Sequence, residues 1–103
     1  MGKFVLLIMI VFVGVQGHVA WTSDSGKEEV WAGPLEGGAF AAILLNMGDD
    51  LATFEAQFSD IGIKSSKAQV RDLWLHKDLG VFENSIMGKV ESHGVKMYKL
   101  TPA

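Results

Sequence analysis

The chain has 103 residues, nine basic and twelve acidic side chains, and a formal net charge of −3. That length is one domain's worth, and charges interspersed with a slight acidic excess leave no basic stripe for nucleic acid. There is no cysteine, which removes disulfides, thiolate metal ligands and a cysteine nucleophile.

The chain opens MGKFVLLIMIVFVGVQG, with Lys3 ahead of a wholly apolar run from Phe4 to Val13. A membrane-spanning helix needs about 20 apolar residues, and Gly14, Gln16, Gly17 and His18 stop this run well short. A basic start, an apolar stretch of roughly 7–15 residues and then small residues form the pattern of a secretion signal. Val15 and Gly17 fit positions −3 and −1 of a cut before His18. This reading ranks ahead of a folded-core strand and of a short membrane anchor. It implies a secreted, extracellular or vacuolar product.

Beyond residue 17 the text reads as β, with no convincing helix. Thr22 to Glu28, TSDSGKE, is a polar turn cluster. Glu29 to Leu35 is a short strand ended by Gly33 and Pro34, since proline cannot donate to a ladder. Glu36 to Gly38 turns the chain into Ala39–Asn46, apolar on both faces as in a central strand covered on both sides. After the turn Met47–Asp50, the run LATFEAQFSD places Ala52, Phe54, Ala56 and Phe58 on one face. Thr53, Glu55, Gln57 and Ser59 fall on the other. Period two predicts a half-buried strand. Ala68–Lys77 is read as strand rather than helix, Leu79–Ser85 as a turn, and Ser85–His93 and Gly94–Pro102 as the last two strands. Short strands with turn signals every ~8–12 residues predict a sandwich or a partly closed barrel.

The carboxylates offer little chemistry. Asp49 and Asp50 are neighbours in a turn cluster, where solvated carboxylates are the rule. Asp60 falls in the next turn, and Asp72 reads as a structural group paired with Arg71, His76 or Lys77. His18, His76 and His93 show no HxH or HExxH spacing for a metal, and no GxSxG elbow is present. Trp21, Trp31 and Trp74 have the chemistry to stack on sugar rings, although a tryptophan in a strand more often fills a core or an interface. Neither Asn46-Met47-Gly48 nor Asn84-Ser85-Ile86 is an N-glycosylation acceptor. The expectation is no catalytic, cofactor-binding or metal-ligating residue.

Three stretches taken together carry a resemblance: EVWAGPL (Glu29–Leu35), VRDLWLHKDLG (Val70–Gly80) and VESHGVKMYKLTPA (Val90–Ala103). In this order and spacing they resemble the C-terminal domain of plant alpha-galactosidases, the melibiase family of glycoside hydrolases. Leu44–Asn46 and Phe58–Ile63 fit the same alignment, and Val13–Gly17 looks like the family's linker ahead of the domain. The resemblance implies an antiparallel Greek-key β-sandwich of about seven to eight strands that packs on a catalytic (β/α)8 barrel. It also implies a parent activity on terminal alpha-linked galactose, with both catalytic aspartates in the barrel and no counterpart here. Departures include Asn46-Met47-Gly48 where many plant members read Asn-Arg-Ser, Val95 in place of a common cysteine, and Lys99 where an apolar residue is usual.

The expected organisation is a hydrophobic segment over 1–17, a loop over 18–28 and the sandwich over 29–103. Phe54, Phe58, Val70, Val90 and Met97 are expected inside. Trp31, Leu73 and Trp74 are the expected apolar surface toward a barrel. Galactoside binding and self-association remain open; nucleic acid and a membrane are not expected partners.

Overall fold

Alternating sequence makes the layers of this molecule. The computed structural model describes residues 17–103, so the readings made on the apolar run at 4–13 lie outside the described residues. Eight strands follow in order: β1 (His18–Thr22), β2 (Glu28–Pro34), β3 (Phe40–Asn46), β4 (Ala52–Gln57), β5 (Lys67–Asp72), β6 (Lys77–Glu83), β7 (Ser85–Val90) and β8 (Val95–Pro102). One six-stranded sheet has the order β1-β2-β3-β8-β5-β6, and β4 and β7 form a two-stranded sheet. Every pairing is antiparallel. The last strand crosses from the smaller sheet to lie beside β5, the first of the strands β5–β8, which is the Greek-key arrangement.

The core lies between the two sheets. Phe54 and Ala56 of β4 and Ile86 and Val90 of β7 face Val30, Ala32, Ala42, Leu44, Ala68, Val70, Tyr98 and Leu100 of the larger sheet. The expected alternation in β4 holds, with Phe54 and Ala56 buried and Thr53, Glu55 and Gln57 exposed. At Phe58 the strand gives way to a single helical turn, α1 (Phe58–Ile61). Residues three apart share a helix face, and this turn buries both Phe58 and Ile61. Gly62, at φ 108°, ends it by donating its N–H to the Phe58 carbonyl. Phe58 and Ser59 therefore belong to a helical turn and not to the expected strand.

Four other expectations are corrected. Residues 18–28 were read as loop, yet His18–Thr22 pairs with β2 as an edge strand. The strand expected over 68–77 stops at Asp72, because the Asp72 carboxylate caps a turn over the next residues. The turn expected at Leu79–Ser85 is the body of β6. Gly80, at φ 106°, marks a bulge there: Val70 faces Gly80 and Arg71 faces Asp78, leaving Leu79 as the extra residue. Asn84, at φ 63°, is the single bend residue at which the chain leaves β6 of the larger sheet for β7 of the smaller one. Finally, Phe54, Phe58, Val70 and Val90 are inside, but Met97 packs on the opposite side of the larger sheet.

Candidate functional site

The residues singled out for chemistry are scattered. Asp49 and Asp50 are exposed in the β3–β4 turn, where the Asp49 carboxylate lies 3.0 Å from His93 Nε2. Asp60 is exposed on α1, and its carbonyl accepts a hydrogen bond from His18 Nε2 at 2.8 Å. Among the described residues no three His, Cys, Asp or Glu side chains converge as a metal site. A shallow polar cleft beside the β3–β4 turn is lined by Ser25, Lys27, Glu28 and Asn46 and by the backbone of the turn itself.

Asp72 is structural, as the sequence suggested, but not through the expected partners. Its side chain is 6 % exposed, and Oδ1 accepts the Trp74 and Leu75 N–H groups at 2.8 and 3.0 Å. Arg71 instead donates Nη1 to Asp78 Oδ1 and Nη2 to the His76 carbonyl, each at 3.0 Å. Asp72 stands opposite Tyr98 in the ladder. Burial, and secondly the Asp72 charge, hold the Tyr98 phenol above its ordinary pKa.

Asn46 is a functional residue of the scaffold that the sequence reading treated only as a failed glycosylation acceptor. Its amide nitrogen donates to the Asp50 and Val90 carbonyls at 2.8 and 2.9 Å, and its oxygen accepts the Gly48 N–H at 2.9 Å. One buried amide thus ties β3 to its following turn and to β7 across the sandwich. The signal was available: a lone amide closing the otherwise apolar run Ala39–Leu45 needs partners if it is buried.

The two outward faces are the features that differ most. On the small sheet the outward cross-strand pairs are Thr53 with Lys89, Glu55 with Met87 and Gln57 with Ser85. Ser85 also donates to Glu55 at 3.2 Å. On the large sheet, register places Val19 beside Trp31, Trp31 beside Ile43 and Ile43 beside Met97. At strand spacings of ~4.8 Å this is an apolar row about 14 Å long. Leu73 prolongs it, since its N–H bonds the Met97 carbonyl at 3.0 Å. Ala41 and Ile43 are buried on this outward face, against Trp31, Leu35, Val95 and Met97. The next row is Gly33, Ala41, Lys99 and Arg71, small at one end and basic at the other. Trp31 belongs to this packing, with its Nε1 donating to Glu29 at 3.3 Å.

The described chain is a two-layer antiparallel sandwich whose larger sheet carries an apolar row on its outward face and whose smaller sheet is mostly polar there. Comparison with known proteins says which kind. The family model described as "Alpha galactosidase C-terminal beta sandwich domain" matches residues 25–100, and the chain belongs to that family. It is 43% identical over 91 residues to an alpha-galactosidase of Coffea arabica, covering 87% of this chain and 24% of the relative. The alpha-galactosidase of Cyamopsis tetragonoloba is 42% identical over 92 residues, with 87% and 22% covered. Among solved structures, alpha-galactosidase I from Mortierella vinacea matches at TM-score 0.75 and 34% identity, over 84% of this chain and 24% of that one. The chain therefore spans about a quarter of the length of the relatives it matches.

Proposed function

We propose that this chain acts as the non-catalytic β-sandwich module of an alpha-galactosidase, seated on the catalytic domain through the outward face of its six-stranded sheet. The observation that carries this is the asymmetry of the two faces. The apolar row Val19–Trp31–Ile43–Met97 occupies one face, whereas the other carries Thr53, Glu55, Gln57, Ser85 and Lys89 with Met87 as its single large apolar side chain. An extended apolar surface rimmed by polar residues marks an interaction site. In this reading no residue of the chain is catalytic, cofactor-binding or metal-ligating. Cleavage of a galactoside with retention needs two carboxyl groups about 5–5.5 Å apart in one site. The carboxylates here instead cap a turn (Asp72) or face water (Asp49, Asp50).

Two measurements test the proposal. The full chain is expected to show no turnover of an aryl alpha-galactoside above buffer; turnover abolished by changing one of its aspartates to Asn overturns the non-catalytic assignment. The full chain is also expected to co-elute with the separately produced catalytic domain of the Coffea arabica relative. On its own it should self-associate or bind a hydrophobic dye. A monomeric, dye-negative chain that ignores the catalytic domain means that the face is already covered, and the docking reading falls. Secretion belongs to the same proposal: a mature product starting at His18 supports it, and one retaining residues 1–17 in the cell opposes it.

A further inference from the structure

Hairpin ends are ordinarily built from Gly, Asn, Asp and Ser. The turn between β5 and β6 is instead Leu73-Trp74-Leu75-His76, with Trp74 45% and Leu75 69% exposed. An exposed apolar tip would be unremarkable on a loose loop, but this one is held at every residue. The Leu73 N–H is bonded to the Met97 carbonyl, and the Trp74 and Leu75 N–H groups to the Asp72 carboxylate. The His76 carbonyl is bonded to the Arg71 guanidinium, which Asp78 holds in turn. The carboxylate that organises the turn is itself buried.

We infer that this turn is the anchor of the docking face, with Trp74 supplying the dominant contact to the catalytic domain and Asp72 and Arg71 acting as positioning residues. The inference rests on the docking reading above and names the side chain through which that docking is made. Interfaces concentrate their binding energy in a few aromatic anchors, and an anchor already fixed in shape avoids an ordering cost on association. The turn is continuous with the apolar row through Leu73 and Met97, so one partner surface spans both. A sugar is a poorer occupant. Stacking a sugar on the indole would require free polar groups for its hydroxyls, yet Leu73 and Leu75 flank Trp74 and the Asp72 and Arg71 groups are already engaged within the turn.

The test measures affinity between the full chain and the catalytic domain of the Coffea arabica relative. Trp74→Ala should weaken binding at least tenfold, and Leu75→Asp, which leaves the brace in place, should do likewise. Met87→Ala, at a side chain 62% exposed on the other sheet, should leave affinity unchanged. Asp72→Ala should weaken binding with Trp74 intact, while Asp72→Asn, whose Oδ1 still accepts both N–H groups, should restore most of it. That rescue separates positioning from a general need for a fold, and thermal melts of each variant report the fold independently. Binding that survives both Trp74→Ala and Leu75→Asp but is lost in Met97→Lys overturns the anchor and leaves the docking face standing. No binding by the unaltered chain overturns both. Self-association abolished by Trp74→Ala, without binding to the catalytic domain, assigns the turn to a second copy and also overturns the proposal.

Discussion

The outward faces of the two sheets come from the same alternating rule and reach opposite ends. On β4 and β7 every second residue meets water, and the outward side chains are mostly polar or charged. On β2, β3 and β8 the outward set includes Trp31, Ile43 and Met97, and Ile43 is 2% exposed although no second layer of the described chain covers it. The alternation of a strand says which residues share a face; it does not say that one of the faces is wet. Ala39–Leu45 made the difference visible in advance, because a strand apolar at every position has two faces to bury. The second face is where the apolar row Trp31–Ile43–Met97 lies.

The sharpest way to break the comparison is to place a charge on each face. Ile43→Asp should destabilise the chain by about 3–4 kcal/mol, from a lost buried side chain and an unpaired carboxylate in an apolar cluster. Thr53→Asp, opposite Lys89 on the small sheet, should change stability by no more than about 0.5 kcal/mol. Urea unfolding of both variants checks this. A cost below about 1 kcal/mol for Ile43→Asp would mean that the outward cluster packs nothing.

A smaller effect sharpens the contrast with the inner faces. At Gly88, in β7, an added Cβ would lie 3.0 Å from Tyr98 Oη and 3.1 Å from Leu44 Cδ2. Glycine at this site lets the two sheets approach closely enough for the phenol to fit between them. Gly88→Ala should cost about 1–3 kcal/mol through overpacking. Gly88→Ala combined with Tyr98→Phe should recover part of that loss, since the closest clashing atom is then gone. A neutral single variant would show that the layers have slack between them.

Much of this is legible in the sequence. The alternation of β4, the all-apolar β3 and the three stretches resembling the alpha-galactosidase β domain together specify the class of fold and four of the five expected core residues. What stayed hidden were features set by hydrogen bonds across the sequence. Leu79–Ser85 reads as a turn because Gly80 and Asn84 are turn formers, and only the pairing with β5 shows a strand in which Gly80 accommodates a bulge. Met97 was expected inside because it is apolar. Its parity relative to Tyr98 and Leu100, both in the core, puts it outside. Asp72 reads as a partner for nearby cations, whereas it accepts the backbone N–H groups two and three residues ahead. The turn between β5 and β6 carried one clear trace, three apolar residues in a row at Leu73–Leu75, which composition alone assigns to a core as readily as to an interface.

The smallest expected effect concerns Tyr98, a buried phenol of the larger sheet that stands opposite Asp72 in the ladder. Because burial and the Asp72 charge both disfavour the phenolate, the folded chain keeps its proton to a higher pH than the unfolded chain, where a tyrosine titrates near about 10. Above that point the folded state binds more protons than the unfolded state, so stability must fall as pH rises. Below it the two states are equally protonated at this site and the group contributes its full share. Tyr98 is the only tyrosine of the chain, so the ultraviolet absorbance of the phenolate reports this site without interference. It should appear later in an alkaline titration of the folded chain than in urea. Lysines also titrate in this range, so the decisive quantity is the difference between the chain and Tyr98→Phe, which should lose less stability between pH 8 and pH 11. Equal losses in the two proteins, or a phenolate that appears at the same pH folded and unfolded, would place the phenol in water and loosen the contact between the wet-faced sheet and the docking sheet.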